Sequence, residues 1–166
     1  MGNRASIVFV SNSSVVGSDN LAIAVYVHWN GGPESVYAVL DHITHRNVSD
    51  ASKLALAYVR LHEREFESPA EMSPIMSSMA DATDPGDNGV FVVRIRNKSL
   101  KVSRHLTART GEKMMSEQFA VEADSARANP RYKEMREEFA QNDKLVAERE
   151  AAHRAERIAQ FRKASV

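Results

Sequence analysis

Residues Val25-Tyr26-Val27-His28-Trp29-Asn30-Gly31-Gly32-Pro33-Glu34-Ser35-Val36 drive an apolar, β-rich run straight into two glycines and a proline. The run cannot continue as a strand through that stop. Pro33 suits the first position of a helix and Glu34 complements the positive end of its dipole, so the chain turns from strand to helix here. The junction therefore demands a mixed α and β fold. It also bares backbone N–H groups at a helix N-terminus, which can hold an anion or can be a tight turn and nothing more.

The surrounding pattern extends the strand–helix reading in both directions. Ser6 to Val10 is a short β-rich run and Leu21 to Trp29 a stronger one, joined by the polar, turn-forming segment from Ser11 to Asn20. A hairpin with a long connection is expected. In the second run Leu21, Ile23, Val25, Val27 and Trp29 share one face, with Ala22, Ala24, Tyr26 and His28 on the other. Both faces are mostly apolar, which predicts a central strand covered on both sides and a buried Trp29. Pro33 to about His45 is the first helix, with Val36, Val39, Leu40 and Ile43 facing a core. Ser49-Asp50 caps a second, running to about Arg64 with Leu54, Tyr58 and Leu61 on one stripe. Ser68-Pro69-Ala70-Glu71 reads as a third helix start that Pro74 shortens or kinks. Asp84-Pro85-Gly86-Asp87-Asn88-Gly89 is a turn with glycines available for positive φ. Val90 to Arg96 and Leu100 to Arg104 then form a second hairpin about Asn97-Lys98-Ser99, with Phe91, Val93, Ile95, Leu100 and Val102 inward.

From Gly111 the pattern is helical throughout. One helix is expected from about Glu112 to Arg127, and Asn129-Pro130 breaks it and begins another that continues to near Lys163. Tyr132, Met135 and Phe139 look like core contacts, whereas Ala147 to Arg157 holds only small and charged residues. The expected architecture is α+β: an antiparallel sheet of about four strands covered by helices, with a C-terminal helical extension. Residues 1–110 would form the core domain. Residues 111–166 would pack on it or mediate oligomer or partner contact.

Composition narrows the chemistry. With no cysteine, disulfides, thiolate zinc sites and cysteine nucleophiles are excluded. No signal-peptide pattern is visible and the longest apolar run is too short to cross a bilayer, so an intracellular protein with no membrane association is expected. The net charge is zero, but residues 1–90 carry 5 Lys/Arg against 11 Asp/Glu and residues 91–166 carry 17 against 11, giving halves of −6 and +6. Such asymmetry favours oriented docking, onto a charged partner or between copies in a homodimer.

The positive half supplies the main candidate surface. Residues 91–109 hold Arg94, Arg96, Lys98, Lys101, Arg104 and Arg109 and no acidic residue, with Arg94, Arg96 and Lys101 directed to solvent. That is a footprint for a phosphodiester backbone or an acidic protein surface, or a charged edge strand guarded against aggregation. No aromatic residue accompanies these cations, so base-specific reading is not supported. The last helix adds Arg149, Arg154, Arg157, Arg162 and Lys163 against Glu150 and Glu156, and a small-residue face of Ala147, Ala151, Ala155 and Ala159. Other constellations are sparse. His42 and His45 stand at helical i, i+3 spacing beside Asp41 but lack a third ligand, and no metal or cofactor is expected. His28 adjoins the turn, and no nucleophile elbow, Walker loop or dinucleotide fingerprint occurs, so no catalytic residue is assigned.

Two resemblances bear on function. Asn30-Gly31-Gly32-Pro33-Glu34-Ser35 is similar to the pyrophosphate-binding loop of the nucleotide α-hydrolases, Ser-Gly-Gly-x-Asp-Ser, with Asn30 in place of the first serine and Glu34 in place of the aspartate. It implies a phosphate site at Asn30, Gly31, Gly32 and Ser35, although the alternating parallel βαβ pattern of those enzymes is absent. Met1-Gly2-Asn3-Arg4-Ala5, the segment Tyr26 to Val36 and the segment Asp84 to Phe91 together resemble a family of small proteins of phages and other bacterial mobile elements. Its members open with Met-Gly-Asn-Arg-Ala, carry Tyr-Leu-His-Trp-Asn-Gly-Gly-x-x-Ser-Val and later a turn Asp-Asn-Gly-x-Tyr. The likeness covers roughly residues 1–105; Val27 departs from the usual leucine and the helical tail is particular to this chain. It implies a protein of the bacterial host cytoplasm that inhibits a nucleic-acid-targeting defence complex, of anti-CRISPR type, by stoichiometric binding. A nucleotide- or phosphate-binding protein or hydrolase, and a DNA-binding accessory protein, are the alternatives.

Overall fold

Strand alternation and helix caps account for most of the architecture. The computed structural model describes residues 3–10, 22–44, 50–75, 86–96, 99–105 and 116–164. They comprise strands β1 (Ala5–Val10), β2 (Ala22–Val27), β3 (Ala70–Ile75), β4 (Val90–Arg96) and β5 (Ser99–His105), and helices α1 (Pro33–Thr44), α2 (Ala51–Phe66), α3 (Ser116–Ala128) and α4 (Pro130–Ala164). The strands form one sheet in the order β3-β2-β1-β4-β5. Neighbours are antiparallel except β1 and β4, which run parallel with Ile7 opposite Phe91. The chain is thus α+β, with one strand more than expected and one parallel pair. The expected connections at Ser11 to Asn20, Asp84-Pro85 and Asn97-Lys98 lie outside the described residues.

The extra strand is β3, where the residues read as a helix start. Ser68 and Glu71 imitate a capping box, but Pro74 would break a helix so placed. An edge strand accepts it, because one side of its backbone has no ladder partner. Pro74 pairs in register with Ile23 of β2.

Helix boundaries follow local chemistry. Pro33 opens α1, with the Val36 N–H donating to the Gly32 carbonyl at 3.0 Å. Asp50 caps α2 by accepting from the N–H groups of Ser52 at 2.7 Å and Lys53 at 3.2 Å. Asn129-Pro130 separates α3 from α4 as expected.

Parity then sorts the sheet residues. Ile7, Phe9, Ile23, Val25, Val27, Phe91, Val93 and Ile95 meet Leu40, Ile43, Leu54 and Tyr58 of the helices in the main core. Val8, Val10, Ala22, Ala24, Val90 and Val92 form a second buried cluster from the opposite parity. β2 is therefore apolar and buried on both faces, as its composition predicts. Ala126 of α3 and Met135 and Phe139 of α4 belong to the main core, so the helices after residue 110 share the hydrophobic centre of the sheet domain. Beyond that, α4 departs: residues 144–161 are all exposed.

Candidate functional site

The sequence motifs meet at one end of the sheet and hold one another. The Gly31 N–H donates to the Asn3 carbonyl at 2.7 Å, and the N–H groups of Asp87 and Asn88 donate to the Arg4 carbonyl at 3.1 and 2.9 Å. The Asn88 side-chain amide reaches the Asn3 side-chain oxygen at 2.5 Å, and Arg4 pairs with Asp87 at 3.2 Å. Close approach explains the glycines. A β-carbon at Gly31 would stand 2.7 Å from the Ala5 nitrogen, and one at Gly86, whose φ is 59°, 2.8 Å from the Arg4 carbonyl carbon. Three motifs far apart in sequence are one structural knot.

That knot takes one of the donors a phosphate would need. Gly31, Gly32 and Ser35 are buried, and the Gly31 N–H is taken by Asn3. The Glu34 carboxylate folds back over Gly32, so close that a β-carbon there would meet Oε1 at 2.8 Å. A negative charge already stands at the start of α1, where a bound anion would be repelled. Asn30 alone of the four is partly exposed, held left-handed at φ 57°.

The basic residues divide. Arg94 and Lys101 lie opposite each other in the β4–β5 register and are exposed. Arg104 does not join them. It pairs with Phe91 in register, on the core face, donating from Nε to the Asn88 carbonyl at 2.6 Å and bonding Glu122 of α3. Its guanidinium carbon lies 5.2 Å from the centre of the Phe91 ring. Lys98 and Arg109 lie outside the described residues, as does the side chain of Arg96. Arg149, Arg154 and Arg157 are exposed on the outer part of α4. Arg154 and Arg157, with Ile158 and Phe161, border a shallow hollow of about 350 Å³; Arg149 points about 140° away from Arg154 around the helix.

The histidines are engaged within the fold. His42 donates from Nε2 to Asp143 at 2.9 Å, and Asp41 receives Arg127 at 2.7 Å and the Tyr132 hydroxyl at 2.9 Å. His45 lies outside the described residues. Among the described residues no three His, Cys, Asp or Glu side chains gather as metal ligands, and no helix is long and apolar enough to cross a membrane. His28 meets Glu71 of β3 at 3.0 Å.

A cleft that sequence reasoning missed lies beside the knot. Trp29, expected in the core, is 55% exposed. β2 ends at Val27, so pleat alternation no longer decides where Trp29 points, and the left-handed turn at Asn30 carries it outward. A cleft of about 510 Å³ opens between Trp29 and Asn30, Asn3, and the segment Phe66, Glu67, Ser68 and Pro69 that follows α2. Glu67 caps α2 in the left-handed region at φ 48°. Asn30 and Glu67 are the two non-glycine residues with positive φ among the described residues, and both line this cleft. Behind it His62, fully buried, donates from Nε2 to the Trp29 carbonyl at 3.1 Å. Burial holds its pKa below the ordinary histidine value, against the pull of the Trp29 and Ser68 carbonyls. Its Nδ1 and the buried Ser68 hydroxyl make no hydrogen bond. The signal available beforehand was a lone tryptophan beside a strand end with asparagine and glycine after it.

Comparison of the chain with protein-family models, with curated proteins and with solved structures gave no match.

Proposed function

We propose that this chain is a stoichiometric binding protein that docks on an acidic face of a host protein complex, acting as an inhibitor of nucleic-acid-targeting defence. The observation that carries it is the outer part of α4. Residues 144–161 form continuous helix with every residue exposed, and they present Arg149, Arg154 and Arg157. A helix in water gains most of its stability from packing one face. Among the described residues, 144–160 pack no face on the core, which leaves that stretch for another molecule. Its inner end is anchored: Arg64 and His42 converge on Asp143 at 2.8 and 2.9 Å, and Asn142 donates to Glu65 at 2.7 Å. The helix is thereby fixed to the domain at the point where its exposed part begins. Arg94 and Lys101 supply a second cationic patch on an edge hairpin. The anti-defence role is what the resemblance to mobile-element proteins adds.

Affinity capture from a bacterial lysate tests this, with nuclease treatment and a salt series. A protein complex should be retained after nuclease treatment and released by salt. Arg154→Glu with Arg157→Glu should abolish capture, and Arg94→Glu with Lys101→Glu should weaken it. Capture unchanged by both double reversals defeats the proposal, as does capture of nucleic acid alone.

A further inference from the structure

The cleft beside Trp29 lies apart from the basic surfaces, and its chemistry is of the opposite sign. An exposed indole forms one wall, and no cation lines the site among the described residues. Its charged member is the Glu67 carboxylate, with Glu63 and Glu71 on neighbouring elements also exposed. Ser68 contributes to the floor of the same cleft, while its hydroxyl is buried beneath it and makes no hydrogen bond. The site thus offers an aromatic face and a carboxylate.

We propose that this cleft binds a guanidinium group, stacked on Trp29 with its N–H groups donated to the Glu67 carboxylate. Guanidinium is planar, always charged and carries five donors and no acceptor, so it matches a carboxylate as well as an aromatic face. Phosphate, sulfate and carboxylate ligands would meet Glu67 with no compensating cation.

The backbone supports a ligand role for the same residues. A helix that ends left-handed is best served by glycine, and any other residue there is strained. This chain ends α2 with Glu67 instead, placing a carboxylate in the cleft at the expense of the cap. Asn30 on the opposite wall is left-handed too, a conformation asparagine accepts readily. Trp29 is held in place as well, since His62 bonds its carbonyl from beneath.

Trp29 is the single tryptophan, so its emission reads the site directly. The full chain is titrated with methylguanidinium at non-denaturing concentrations, with a blocked Gly-Arg-Gly peptide, and with urea as the neutral isostere. A saturable change is expected with the first two and none with urea. Tighter binding of the peptide assigns the group to an arginine of a polypeptide; equal binding assigns it to a free small molecule. Glu67→Gln should weaken the response by about tenfold or more. Glu67→Gly should abolish it while raising the melting temperature, which separates lost binding from lost folding. No saturable change with either guanidinium probe overturns the proposal, and so does an equal response to urea or an undiminished response in both Glu67 variants.

Discussion

His42 and Asp143 are 101 residues apart in the chain, yet the imidazole Nε2 lies 2.9 Å from the carboxylate. The contact ties α1 to α4 just before the exposed stretch 144–161 begins, and Arg64 of α2 reaches the same carboxylate at 2.8 Å. Asp143 thus joins α1, α2 and α4.

Burial alone would raise the Asp143 carboxyl, but hydrogen bonds from Arg64 and His42 outweigh it and hold its pKa below the ordinary aspartate value. A depressed folded-state pKa contributes stability that is present above the unfolded value near 3.9 and is lost as pH falls through the folded one. Asp143→Asn is expected to cost about 1 kcal/mol at neutral pH, a modest figure because the pair is partly exposed. Denaturant unfolding at a series of pH values should show the difference from wild type holding down to about pH 4 and vanishing below it. A pH-independent difference contradicts this account.

His62 gives the opposite dependence. Its pKa is lowered by burial, so folding resists its protonation, and stability falls as pH drops below the unfolded value near 6.5 until the folded pKa is reached. His62→Gln removes that penalty and also the bond to the Trp29 carbonyl, costing about 1–3 kcal/mol at pH 8. The gap between the two proteins should narrow towards pH 5. Its ring resonances, followed by NMR, should not titrate near the ordinary value.

The extent to which this was legible in sequence depended on whether the deciding contact was local. β1, β2, α1 and α2 announce themselves by alternation, by Pro33 and by Asp50, all signals within a few residues. β3 does not, because Ser68 and Glu71 imitate a helix cap and only pairing with β2 settles the segment as a strand. The parallel pairing of β1 with β4 joins residues more than 80 apart and leaves no local trace. Arg104 was within reach: it shares parity with Leu100 and Val102, the inward residues of its own strand. Its positive charge suggested solvent, whereas Glu122 supplies the partner that lets it turn in. Trp29 was misplaced because parity was extended two residues past the end of β2. The cleft could not be foreseen, since its walls come from three segments more than 25 residues apart and from an α2 end that Glu67 does not signal.

Adjacent glycines in the knot should differ sharply. Alanine at Gly31 drives its β-carbon into the Ala5 backbone at 2.7 Å, and neither strand end can retreat without breaking the Asn3 bond. A loss of about 2–3 kcal/mol is expected. Alanine at Gly32 meets the end of the Glu34 side chain, which can swing away, so a loss under about 1 kcal/mol is expected. Thermal unfolding of the two variants checks the order; equal losses would mean the close approach to Ala5 does not constrain the turn.

Arg94, Lys101 and Arg104 offer the sharpest separation of surface from core. Arg104→Ala leaves Glu122 without the guanidinium it bonds and opens space over Phe91, an expected loss of about 2–4 kcal/mol. Arg94→Glu with Lys101→Glu alters two exposed side chains and should change stability by less than about 1 kcal/mol. Capture of the partner should follow the reverse order, with the double reversal weakening it and Arg104→Ala sparing it at temperatures where the variant stays folded. Calorimetry beside the lysate capture measures both. A binding defect in Arg104→Ala larger than that of the double reversal would move the contact surface from the exposed ribbon face to the α3 side of the sheet.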